Sequence, residues 1–221
     1  MGIFPIDADG SPASQAYIDS LSVDDYAAIG DFMAREAHRY GRDLAEPVHI
    51  ALYPVVKERP PELQPGEGLF ATIWWSLKLR WFAFRKADTG GHAPPRIRMF
   101  VEYHDPSTLQ TVPDSRGMQK GLIGVVHAFA LKSMAGSNNI VITHELLHTL
   151  GATDKYDPAT NQPLVPIGLG DPGRKPLYPQ DDAEIMSGRR ALSPTTAEMP
   201  SSLKDVVVGP DTALEIRWTK R

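Results

Sequence analysis

Apolar and polar positions recur along this chain with two different periods, and the switches between them mark out its elements. From Ser22 to Tyr40 the apolar residues Tyr26, Ile29, Phe32 and Met33 fall every three or four positions, which predicts a helix. Ser22 stands where a cap belongs, and Asp24 and Asp25 favour the positive helix end. Pro47 to Val56 alternates instead, with Val48, Ile50 and Leu52 on one face, and predicts a strand. The proline-rich run Arg59 to Gly66 predicts a loop. Gly68 to Lys86 is the most apolar stretch, and Lys78 and Arg80 near its middle argue against a membrane-spanning helix. Between two strands it predicts a helix that backs a sheet and buries its aromatics there. Its tryptophans and basic residues leave an interfacial membrane contact through 68–86 as the alternative. Arg96 to Tyr103 alternates again, predicting a half-buried strand, and Leu122 to Leu131 predicts another after the turn-rich connection from His104 to Gly121. From Asp157 to Asp182 prolines and glycines replace any period, which predicts an irregular segment. Ser201 to Trp218 predicts one or two short helices, with Pro210 in a first turn.

One apolar helical stretch carries chemistry. Val141 to Leu150 contains His144-Glu145-Leu146-Leu147-His148. Histidines four apart on a helix lie one turn apart on one face, so both imidazoles can reach one ion. Zinc takes such ligands tetrahedrally and, where catalytic, leaves one position for water. Glu145 is placed to take a proton from that water. Ser137 or Asn138 can cap the helix start, and Gly151 stands where the helix would stop in a left-handed turn. Such a turn could bring the Asp154 carboxylate back as a third ligand.

The pattern His144-Glu145-x-x-His148-x-x-Gly151-x-x-Asp154 resembles the metzincin zinc-peptidase signature. Aspartate stands where most members carry a third histidine, a replacement known in the snapalysin type. Ala183-Glu184-Ile185-Met186-Ser187-Gly188 resembles the methionine turn of these enzymes, with Met186 in the key position. By motif the resemblance covers Asn138 to Gly188. It implies an α+β, zincin/metzincin-like fold with a mixed twisted sheet, a backing helix, an active-site helix and an irregular C-terminal subdomain. One peptidase domain would span 1–221, with an upper subdomain over 1–151 and a lower one over 152–221. It implies Zn2+ held by His144, His148 and Asp154, and a zinc-dependent endopeptidase using a metal-activated water with Glu145 as general base. In the family an antiparallel edge strand before the active-site helix pairs with extended peptide or protein substrate, and Gly124 to Ala130 takes that place here. Astacin-like and serralysin-like members have a tyrosine two residues after the methionine, where this chain has Gly188. Tyr156 and Tyr178 are the nearest candidates for that oxyanion role, and His127 is a candidate substrate contact.

Composition narrows the field without changing this picture. The 221 residues, 42% hydrophobic, can build one domain core. A net charge of −4 speaks against nucleic acid as a partner. The absence of cysteine excludes disulfides, thiolate ligands and a cysteine nucleophile, but leaves the compartment open. No basic start followed by an apolar run is visible in Met1 to Gly10, so the chain reads as cytoplasmic or as a secreted protein trimmed of its leader. Two other readings stand beside the metzincin one. A thermolysin-like peptidase would take Glu184 as third ligand, but would leave Gly151 and Asp154 unexplained. A non-catalytic, metal-stabilised module binding a peptide or protein would have no need of Glu145.

Overall fold

Five strands, β1 (Gly2–Asp7), β2 (Ala51–Leu52), β3 (Arg98–His104), β4 (Arg116–Met118) and β5 (Ile123–Phe129), form one sheet in the order β2-β1-β3-β5-β4. The computed structural model describes residues 1–62, 68–87, 91 and 93–220. Neighbouring strands are parallel except β4, which runs antiparallel to β5 along the sheet edge. With helices α1 (Pro12–Asp19), α2 (Ala27–Arg39), α3 (Leu69–Lys86), α4 (Ala135–Leu150) and α5 (Pro210–Glu215), the described residues are α+β with a mostly parallel sheet. The proposed loop from Arg59 to Gly66 is irregular over 59–62, and 63–66 lie outside the described residues.

The sheet is covered on both faces, as parallel strands with crossover helices require. Ile3, Met99, Val101, Tyr103, Val126 and Ala128 face α1, α2 and α4. Phe4, Ile6, Phe100, Ile123 and Val125 face α3. β3, expected to be half-buried, is therefore buried on both sides along nearly its whole length. The helix expected from Ser22 is present, opening as a tight turn over Val23–Tyr26 before α2. The Asp25 carboxylate accepts from the Ser22 backbone N–H at 2.8 Å. α2 packs on the α4 side of the sheet.

Four expectations need correction. α3 does lie on the sheet, but on the face opposite α4, and among its described side chains it buries Leu79, Phe82 and Ala83. Phe70, 88% exposed, and Trp74, Trp81 and Phe84 point outward. A helix of 18 residues is about 27 Å long, and its apolar positions outnumber what one sheet-facing stripe can cover. No helix among the described residues is long and apolar enough to cross a membrane. The strand over Pro47 to Val56 contracts to the two residues of β2. β1 and α1 carry no element in the sequence reading, where Pro5 disguises the strand. Finally, Gly124 to Ala130 is not the edge: β5 is interior and parallel to β3, and the antiparallel edge is β4, inside the connection read as turns.

Beyond Gly151 the chain is irregular, with short pairs β6 (Ala183–Glu184) with β9 (Val206–Val207), and β7 (Arg190–Ala191) with β8 (Ala197–Glu198). Ala183, Ile185, Met186, Val206, Val208 and Ala213 join the same core as Ile142 and Leu146 of α4. That shared core fastens the turn carrying Met186 against the helix.

Candidate metal centre

α4 is held at both ends by specific backbone chemistry. It starts at Ala135, ahead of the two expected caps. Asn138 lies inside it and brackets Phe129 at the end of β5. Its Oδ1 accepts from the Phe129 N–H at 3.1 Å and its Nδ2 donates to the Phe129 carbonyl at 2.9 Å. At the other end Gly151 adopts φ +110°, a left-handed conformation that costs glycine least. The N–H of Ala152 donates to Leu147 and that of Gly151 to His148, closing a Schellman turn.

The turn sends the chain back across the helix face. Lys155, fully buried, donates from Nζ to the Thr153 carbonyl, the Thr153 hydroxyl and Glu215 Oε2 at 2.7–2.9 Å. Glu215 also accepts from the Thr153 N–H and hydroxyl. This lashing fixes the residue between Thr153 and Lys155, and the Asp154 carboxylate meets both histidines. One oxygen, Oδ1, lies 3.1 Å from His144 Nε2 and 3.2 Å from His148 Nε2. His144 Nδ1 lies 3.0 Å from the Ile185 carbonyl and His148 Nδ1 2.9 Å from the Ala152 carbonyl. A carbonyl only accepts, so each ring carries a proton on Nδ1 and turns Nε2 toward Asp154.

Glu145 sits behind them, 4% exposed. Gly117 of β4 presses on this part of α4: a Cβ there would fall 2.5 Å from the Glu145 carbonyl oxygen and 2.6 Å from His148 Cβ. The strand edge and the helix can approach this closely only through glycine. Among the described residues five buried side-chain polar atoms have no hydrogen-bond partner, and the two carboxylate oxygens in that set are Glu145 Oε2 and Glu102 Oε1. Two Nε2 atoms converging on one Asp154 oxygen, beside the buried Glu145 carboxylate, fit a dication site with an adjacent proton acceptor. Charge follows the same geometry. Burial alone would lower His144, but the Asp154 hydrogen bond and the neighbouring Glu145 outweigh it and raise it to about 9. Burial would raise Asp154, yet its bonds to His144 and His148 hold it well below the usual carboxylate range. Burial pushes Glu145 up, against the pull of His144 and His148.

The site floors an open cleft of about 870 Å³, walled by Ile73, Leu77 and Arg80 of α3, by β4, and by Tyr156. Met186 is fully buried in the turn whose Ile185 carbonyl holds His144. Gly188 follows with φ +66°. Of the two tyrosine candidates, Tyr156 lines the cleft beside His148 and Asp154, and Tyr178 does not. Burial and the Asp154 charge both push the Tyr156 hydroxyl up. Both carboxylate oxygens of Glu184 are engaged elsewhere. Its Oε2 accepts from the Met186 and Ser187 N–H groups and its Oε1 from the Gly209 N–H and the Thr212 hydroxyl, which pins the methionine turn to α5. His127 does not face the cleft either. It lies on the α3 face of the sheet, against His104, where burial first and then His104 and Arg59 lower it to about 4.

Sequence reasoning missed Gly117, Lys155, Glu215 and the pairing of His104 with His127. A lysine one residue after a presumed ligand is the one sequence signal that could have found Lys155; the others depend on tertiary register.

No family model matches the chain, and no curated protein matches it. Among solved structures, wild-type OgpA from Akkermansia muciniphila is similar at 13% identity over 96% of this chain, with a TM-score of 0.39. The chain spans 57% of the length of that structure.

Proposed function

We propose that the chain is a zinc-dependent endopeptidase with a metzincin-like centre, His144, His148 and Asp154 being the ligands and Glu145 the general base. The observation that carries this reading is the convergence of two Nε2 atoms on one Asp154 oxygen, beside the orphaned Glu145 Oε2, at the floor of an open cleft. Zinc bound there would supply Lewis-acid polarisation of a scissile carbonyl and acidify a water. Glu145, raised by burial, is suited to accept a proton and return it to the leaving nitrogen. β4 ends the sheet, so its outer side is free to pair with an extended peptide or protein segment, with Gly117 keeping that strand close to Glu145. Tyr156 offers a hydroxyl at the cleft wall for the developing oxyanion. Met186 provides a soft apolar floor.

In this reading the zincin arrangement comprises the sheet, α4 as active-site helix, and α2 rather than the expected 68–86 helix as the backing helix on the α4 face. The cleft divides an upper part, 1–151, from a lower part, 152–221.

The test combines metal content and turnover. After mild dialysis the wild type should retain zinc, and Asp154→Ala should lose the ion bound at α4. Cleavage of a peptide library by the zinc-loaded protein should disappear in Glu145→Gln. A zinc-loaded wild type that cleaves no member of a broad peptide library, or cleavage that survives Glu145→Gln, would remove the peptidase reading.

A further inference from the structure

The α3 face of the sheet holds a second cluster of ligand-type side chains. Glu102 and His104 are two apart on β3 and so share a face, and the parallel register sets His127 of β5 directly opposite Glu102. All three are buried. Their ligand atoms lie within 4.8 Å of one another. His104 Nε2 is 3.1 Å from His127 Nδ1, and that nitrogen is 3.9 Å from Glu102 Oε2. Ligands about 2.1 Å from a tetrahedral ion stand about 3.4 Å apart, so these side chains need only small rotations to close on one.

We propose that Glu102, His104 and His127 form a second metal site, for a zinc-class divalent ion, on the opposite side of the sheet from α4. Three features favour an ion over a closed hydrogen-bond network. Arg59 Nε donates to Glu102 Oε2 at 2.7 Å, but Oε1 of this fully buried carboxylate has no partner among the described residues. An unpaired buried carboxylate oxygen is costly, and a cation is its direct remedy. Two imidazoles and a carboxylate are a donor set that zinc takes readily. The cluster is also reachable, because Glu102 and His127 line a cavity of about 360 Å³ under Trp75, with Glu62 and Asp114 at its walls. An ion there would cross-link β3 and β5. The His127 N–H also donates to the Ser115 hydroxyl, immediately before β4, so the cross-link would brace the edge strand of the cleft. This site does not depend on the peptidase reading.

The experiment is a Zn2+ titration of the chelator-stripped full chain by calorimetry, with elemental analysis after dialysis. The variants are His144→Ala/His148→Ala, which removes the α4 ligands, and His104→Ala/His127→Ala. Two ions are expected per wild-type chain and one in each double variant. One ion in the wild type, lost in the His144→Ala/His148→Ala variant, would overturn the second site and leave the peptidase reading intact. One ion lost only in His104→Ala/His127→Ala would support it and sink that reading. Should His104→Ala/His127→Ala fail to fold, Co2+ is added to the His144→Ala/His148→Ala variant. Visible tetrahedral absorption there, abolished by Glu102→Gln, supports the site, and its absence overturns it.

Discussion

Two histidine–carboxylate clusters lie on opposite faces of one sheet, and they are assembled by different means. His144, Glu145 and His148 occupy two turns of α4, and Asp154 returns to them within six residues of the last histidine. Glu102, His104 and His127 come from two strands and meet only because β3 and β5 pair in one register. The first cluster opens on the larger cleft beside a free strand edge, and the second lies in a smaller cavity under α3. Each contains a buried carboxylate oxygen with no partner. At α4 that oxygen belongs to Glu145, which the proposed ligands do not need and which suits a proton acceptor. On β3 it belongs to one of the ligands themselves. Similar side chains therefore point to chemistry in one place and to cross-linking in the other.

The largest effect should come from breaking the chemistry without the metal. Glu145→Gln should lower peptide turnover about 10²–10⁴-fold while zinc per chain stays at the wild-type value. Loss of zinc along with activity would make Glu145 a ligand and erase the distinction between the clusters. Next in size, Asp154→Ala should weaken zinc at α4 and leave the β3–β5 cluster loaded. Glu215→Gln acts one step back, by loosening Thr153 and Lys155 around Asp154. Supporting residues of this kind typically contribute about 10–100-fold in metal affinity. Competition against a zinc chelator measures both, and equal affinities in Glu215→Gln and wild type would show that the lashing does not position Asp154.

The contrast also explains what was legible in the sequence. A helix converts a spacing of four residues into adjacency, so His144 and His148 could be paired from the sequence alone. Gly151 announced the turn for the same reason, because its conformation is local. Strand pairing has no such local rule. His127 was visible as a strand residue, but its partners at 102 and 104 depend on register, and its direction depends on which face α3 covers. The edge strand was misplaced on the same ground: three residues, Arg116–Met118, are too few to show a period. The aromatics of α3 identified an apolar helix but not how few of them the sheet could bury.

Gly117 gives a smaller and more local test. The backbone of β4 touches α4 beside Glu145. Gly117→Ala should push strand and helix apart, costing about 1–3 kcal/mol of stability, measured by denaturant unfolding. Turnover should fall with it, and zinc in the β3–β5 cluster should not. An alanine variant as stable and active as wild type would mean that β4 is free to move away from the helix.

An effect of no larger size lies in the protons the two clusters carry without metal. His144 titrates at about 9, because its bond to Asp154 and the nearby Glu145 outweigh burial. The folded chain then holds a proton that the unfolded chain loses near 6.5. This stabilisation is complete below about pH 6.5 and disappears as pH rises through about 9. His127 titrates at about 4, lowered by burial, His104 and Arg59. Here the unfolded chain takes up a proton first, so the stabilisation is present above about pH 6.5 and disappears as pH falls through about 4. The sign is opposite, and each limb should amount to about 1–3 kcal/mol. Thermal unfolding of the chelated protein from pH 4 to 9.5 separates them. Asp154→Asn should flatten the alkaline limb and His127→Asn should reduce the acid one. If Asp154→Asn and wild type lose stability in parallel between pH 6.5 and 9, His144 is not charged in the folded chain. The two clusters would then not differ in the sign of their pH dependence.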